Sequence, residues 1–181
     1  MQLTNPERLI LVMLAEIHEK LGIQKGIDTK LLAKSIHTNN TWALSCELPG
    51  IIAEDSPDTT PPQVTEVSKI LAMWRSIEEA YQSFRPTDKA KIKTEASPFG
   101  EHVQFTGFDG NNESKHMGIA RFLIEQMDSF SHFTGRNLNS HCPVLDEYRR
   151  MLTAYEPMQG TLVGHGLNAD QVIEILNAKR A

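Results

Sequence analysis

Glu113 and His116 stand three residues apart, Cys142 precedes a proline, and His132, His141 and His165 follow or flank them. These are the side chains whose types suit metal binding, proton transfer or nucleophilic attack. A Glu-x-x-His on one helix puts a carboxylate and an imidazole on one face, the spacing that carboxylate-bridged di-iron bundles use. Such a site needs a second copy of the pair and further glutamates on facing helices, and no second copy is present. At a helix start rich in glycine and asparagine, Glu113 has a simpler use, favouring the positive end of the helix dipole. His132, His141, Cys142 and His165 have zinc-ligand chemistry but irregular spacing, with no short-range ligand pair. Cys142 before Pro143 lies where backbone amides at a helix start stabilise a thiolate, with His141 or His132 as the neighbouring base. The alternative is a small apolar filler. No cofactor, metal or catalytic residue is assigned.

A second group of residues suggests binding rather than reaction. Phe105, Phe108, Phe130, Phe133, Tyr148 and Tyr155 either line a pocket charged by Arg121, Arg149 or Arg150, or fill the space where helices diverge. Adjacent Arg149 and Arg150 cannot share a helix face. One is expected in solvent, the other tied to Glu147, Asp146 or Asp109. Gly107-Phe108-Asp109-Gly110 is no phosphate loop, since no lysine-serine pair follows it. Residues 28–48 have the outline of a helix-turn-helix, two short helices about a tight turn. Its second helix, Thr41 to Leu48, has no arginine or lysine and one glutamate, which opposes contact with phosphates and guanines. Lys89, Lys91 and Lys93 alternate along a stretch that reads as a solvated linker or as a contact for nucleic acid or an acidic partner.

Helical periodicity positions all of these. Thr4-Asn5-Pro6-Glu7 has the form of a capping box with a first-turn proline. Leu9, Ile10, Met13, Ile17 and Leu21 then form a stripe that Leu11, Val12 and Leu14 widen, and Gly22 can end the helix in the left-handed region. A helix apolar on so many sides is either central or covered by another subunit. Asp28 caps a helix to His37, and Trp42–Leu48 form another. Val67, Ile70, Leu71, Trp74, Ile77, Tyr81 and Phe84 mark a long helix from Gln63 to Phe84. Residues 85–101, broken by Pro86, Pro98 and Gly100, form the expected boundary between a half at 1–95 and a half at 96–181. Asp109 or Asn111 caps a helix carrying Met117, Ala120, Ile124 and Met127. Leu145, Tyr148, Leu152 and Tyr155 follow Pro143, and Asn168 caps a last helix. The fold class is all-α: about seven helices, one long and central, with little or no sheet.

Three blocks resemble the YfbU family of small bacterial proteins without assigned function: Leu3-Thr4-Asn5-Pro6-Glu7-Arg8-Leu9-Ile10-Leu11, the stretch from Gly107-Phe108-Asp109 to Phe133, and Tyr148-Arg149-Arg150-Met151-Leu152. The resemblance implies an all-helical fold, a cytoplasmic setting and self-association. It brings no catalytic residues.

Bulk properties agree with that setting. The 181 residues carry a net charge of −5, and only residues 85–95 are locally positive, which gives no broad phosphate-binding surface. No apolar run approaches a membrane span and no secretory signal is visible. Cys46 and Cys142 lie far apart, as reduced thiols do. The leading expectation is a cytoplasmic homo-oligomer that binds other macromolecules, using the 9–14 surface or the long 63–84 helix for subunit contact. The alternatives are a nucleic-acid-binding regulator using residues 28–48, and an enzyme with an aromatic-lined pocket between the halves. The residues singled out are Asp109, Glu113, His116, Arg121, His132, His141, Cys142, Tyr148 and Arg149.

Overall fold

The computed structural model describes residues 3–23, 26–48, 60–160 and 166–180. Among these the chain forms eight α-helices: α1 (Asn5–Lys20), α2 (Thr29–His37), α3 (Trp42–Glu47), α4 (Pro62–Ser83), α5 (Pro86–Glu95), α6 (Ser114–Glu125), α7 (Leu145–Gln159) and α8 (Ala169–Asn177). Short 3-10 turns occupy Phe99–Glu101 and Ser131–Phe133. No strand occurs among the described residues, and the all-α expectation holds. A single parallel bridge joins Phe108 to Asn139.

α4 is the axis of the molecule. Pro62 opens it in the first turn, where a missing amide is harmless. Arg85 precedes Pro86 and is extended, so the same proline that bars helix at residue 85 starts α5. Val67, Ile70, Leu71, Met73, Trp74 and Ile77 are fully buried, and α6, α7 and α8 all pack against this helix. Beyond its opening proline, what α4 exposes is polar: Thr65, Lys69, Arg75, Glu79, Gln82 and Ser83. Its own chain therefore covers the apolar stripe that suggested a subunit contact. The main core draws on both sides of residue 95, from Leu31 to Leu176.

Residues 85–101 are not the broken stretch that their prolines suggested. α5 fills most of the stretch, with Asp88 in its first turn and Lys93 in its last, each placed well for the helix dipole. A lone apolar anchor, Ile92, is fully buried, too little to register as periodicity. Nor are the lysines a free linker. Lys91 pairs with Asp170 of α8, and Lys89 lies 5.3 Å from the Tyr81 ring.

The first three helices form a smaller cluster around Ala15, Leu32, Ile36 and Leu44, with Leu3, Leu11 and Val12 packed against it. At the start of α1 the Glu7 carboxylate accepts from the Thr4 amide and hydroxyl, both at 2.7 Å. At its end Gly22 is left-handed, and the Gly22 and Ile23 amides donate to the Glu19 and His18 carbonyls. α1 packs on α2. On its opposite face, no described residue covers Leu9, Ile10, Met13, Leu14 or Ile17. Among the described residues α1 is therefore not a central helix. α3 has the reverse character, with Trp42, Ala43, Leu44 and Ser45 buried. A recognition helix must offer its side chains to a groove, and this one has turned them into the core.

Where residues 102–144 leave helical geometry, one glycine is decisive. Gly107 has φ +89, and a Cβ there would fall inside the Leu138 carbonyl group. The close approach allows the Phe108 amide to reach Leu138 and the Ser140 amide to reach the Phe108 carbonyl. Gly107→Ala is expected to destabilise the fold by about 3 kcal/mol or more, from backbone strain and displacement together. A urea midpoint within experimental error of the unsubstituted protein would contradict this packing.

Candidate functional site

Most of the singled-out residues gather where α4, α6 and α7 meet the irregular 102–144 segment, and each has a structural partner there. Glu113 is buried at the position just before α6. Its Oε1 accepts from the Val144 and Leu145 amides at 2.8 and 2.7 Å, and its Oε2 from the Asp109 amide at 2.9 Å. One carboxylate thus caps the start of α7 while fixing the loop before α6. Asp109 is also buried. It does not cap α6 directly, as its spacing suggested, but accepts from the Asn112 side chain and the Asn111 amide, which hold its carboxyl below the ordinary range.

His116, in the first turn of α6, meets Glu66 of α4 at 2.9 Å and lies 5.8 Å from the Phe108 ring. Arg149 of α7 reaches the other oxygen of Glu66 at 2.8 Å and Asp146 at 3.0 Å. Three helices are laced by one carboxylate, which Arg149 chiefly, and His116 after it, hold below its ordinary range against the opposing effect of partial burial. Neither arginine of the 149–150 pair is left to solvent alone, since Arg150 donates to the Ala178 and Lys179 carbonyls.

His132 belongs to a second carboxylate. Glu78 of α4 is 4% exposed and accepts from the Phe105 amide at 2.7 Å, from both terminal nitrogens of Arg136 at 2.8 and 2.7 Å, and sits 2.7 Å from His132 Nε2. Burial alone would raise this carboxyl; Arg136, the Phe105 amide and His132 outweigh it and hold it low. Glu66, Glu78 and Arg136 were not among the residues that sequence reasoning singled out. A signal for Glu78 was present: it falls four residues after Trp74 and seven after Leu71, a charge on an otherwise apolar stripe.

Tyr148 is fully buried, and its hydroxyl shares a 3.0 Å hydrogen bond with the Thr106 hydroxyl. Burial pushes its pKa well up. Around it Trp74, Phe105 and Phe108 pack with ring centroids 5.7 Å from its own, and Phe133 lies 5.2 Å from Phe105. These rings fill the space between helices; they do not line the pocket that the enzyme reading required. The clefts lie elsewhere. One of 490 Å³ is bordered by Ser76, Ala80, Tyr155 and Leu167, and one of 370 Å³ by Asn40, Trp42, Ser114 and Ile119. Arg121, exposed and 4.0 Å from Glu125, borders a further cleft of 260 Å³.

Cys142 and His141 are exposed. The thiol sits 3.5 Å from the Ser140 carbonyl, and α7 begins only at Leu145. The amides that were to stabilise a thiolate, those of Val144 and Leu145, are taken by Glu113. His132 and Glu113 are bound to their own partners, so the three groups of the enzyme reading do not converge. No group of three metal-ligand side chains occurs among the described residues, and His165 lies outside them.

Comparison with known proteins places this arrangement in context. The YfbU domain model matches residues 1–178. The chain is also similar to the UPF0304 protein MJECS11 of Methanocaldococcus jannaschii, with 33% identity over 138 residues, 73% of this chain and 75% of that protein.

The buried carboxylate makes the acid limb of stability testable. With its folded pKa below the unfolded value of about 4.3, the unfolded chain binds more protons as pH falls, so stability is full above that value and declines below it. Glu78→Gln should cost roughly 2–3 kcal/mol at pH 7 and flatten the loss of stability as the pH falls below about 4.3. Urea titrations across that range check both, and an acid limb of unchanged steepness would contradict the role given to Glu78.

Proposed function

This chain belongs to the YfbU family, and from that premise we propose that it is a self-associating helical module that acts by binding macromolecules, without chemistry of its own. One observation carries the reading: Leu9, Ile10, Met13, Leu14, Ile17 and Leu21 of the α1 region are each between 51% and 70% exposed. Single exposed leucines are ordinary, but a contiguous row at helical spacing marks an interaction surface. Covering each of these side chains contributes on the order of 1 kcal/mol.

The remaining residues support the same reading from the other side. Asp109, Glu113, His116, His132, Tyr148 and Arg149 each hold a helix end, a loop or a neighbouring helix. Each of these groups already has a structural partner. No helix among the described residues is long and apolar enough to cross a membrane. Two exposed thiols suit a reducing compartment, so the cytoplasm is the setting we assign.

Ile10 and Leu14 are both 55% exposed, so the double variant Ile10→Asp, Leu14→Asp should keep its helical circular dichroism. In sedimentation at tens of micromolar it should fall to the 20.3 kDa of one chain, while the unsubstituted protein runs heavier. An unsubstituted protein already at the single-chain mass would overturn the reading.

A further inference from the structure

We infer that the occupant of the α1 face is α1 of a second copy, laid antiparallel across a two-fold axis with Ile10 of each copy facing Ile17 of the other. The inference rests on the self-association reading and specifies its partner and register.

Helical geometry at about 100° per residue puts Ile10 and Ile17 on the midline of the exposed row, with Met13 and Leu14 straddling it between them. With Ile10 facing Ile17, Met13 and Leu14 also fall at the same level, so the middle of the row meets itself as an isologous contact does. Charge selects the antiparallel arrangement. α1 carries Glu7 in its first turn and His18 and Lys20 in its last. Antiparallel pairing sets Glu7 of one copy near His18 of the other on the same flank and opposes the two helix dipoles; parallel pairing sets like ends together. Arg8 stays out of the contact, turned toward α2 and bonded to Leu3 and Asn39.

Area points to a second copy. Six side chains at half exposure or more present on the order of 600 Å², the top of the range for apolar patches on monomers. A two-fold doubles this to about 1,200 Å², the lower edge of stable interfaces. A membrane surface is a poorer occupant, because helices that lie on anionic lipid are rich in lysine and arginine along their polar face. α1 offers only Arg8 and Lys20 against Glu7, Glu16 and Glu19. With α2 behind each copy of α1, the contact completes a four-helix layer in which each α1 is covered on both faces.

The test is directed crosslinking in a Cys46→Ser, Cys142→Ser background. An equal mixture of Ile10→Cys and Ile17→Cys proteins, oxidised at tens of micromolar, should give several-fold more linked dimer than either protein alone. In this register identical positions lie roughly seven residues, or about 10 Å, apart along the pair, beyond disulfide reach. Linking of each variant with itself that is stronger than in the mixture would mean parallel helices and would overturn the inference while leaving self-association intact. A dimer by mass with no linkage in any sample would move the contact off this face and overturn it as well. A single-chain mass throughout would overturn both the inference and the reading beneath it.

Discussion

Backbone amides that leave helix or sheet still need acceptors once they are buried, and in this protein two glutamates supply them. Residues 102–144 hold α6 and little other regular structure, yet their rings form the centre of the main core. An unpaired buried amide costs about 1–3 kcal/mol, so a segment of this kind folds only if side chains take the place of a ladder. Glu78 takes the Phe105 amide, and Glu113 takes those of Asp109, Val144 and Leu145. Both carboxylates also tie separate elements, the first through Arg136 and His132, the second by spanning the starts of α6 and α7. The aromatic core of Trp74, Phe105, Phe108, Phe133 and Tyr148 is organised between these two points.

That constraint explains why residues with the look of chemistry are engaged in holding the fold. A carboxylate that accepts three amides, or that holds a guanidinium in a fork, has its lone pairs directed and its charge balanced. His116 and His132 complete such networks from the surface side. The place where the fold leaves something unfinished is α1. A helix in a two-helix hairpin can bury one face only. α1 gives Leu11, Val12 and Ala15 to α2 and has its widest apolar row on the far side. The proposed assembly supplies the missing cover.

Much of this was legible from residue order. The spacing of Val67, Ile70, Leu71, Trp74 and Ile77 placed the long central helix within two residues of its bounds, and Thr4-x-x-Glu7 with Gly22 bracketed α1 at both ends. α5 escaped detection because one buried isoleucine makes no stripe, while its prolines resemble a break until the first-turn role of Pro86 is seen. The carboxylate networks escaped it for a different reason. Glu66, Glu78 and Arg136 are drawn from elements far apart in the chain, and only the three-dimensional path of residues 102–144 brings them to one another. Glu113 and His116 were singled out as a pair, yet they serve different partners in opposite directions.

The most direct test is hydrogen exchange along α1 in the unsubstituted protein as its concentration is raised from sub-micromolar to tens of micromolar. If a second chain covers the exposed row, amides between Leu9 and Leu21 should become progressively slower to exchange, while those of the buried α4 stay constant. Exchange in α1 that is fast and independent of concentration across the whole range would contradict the account.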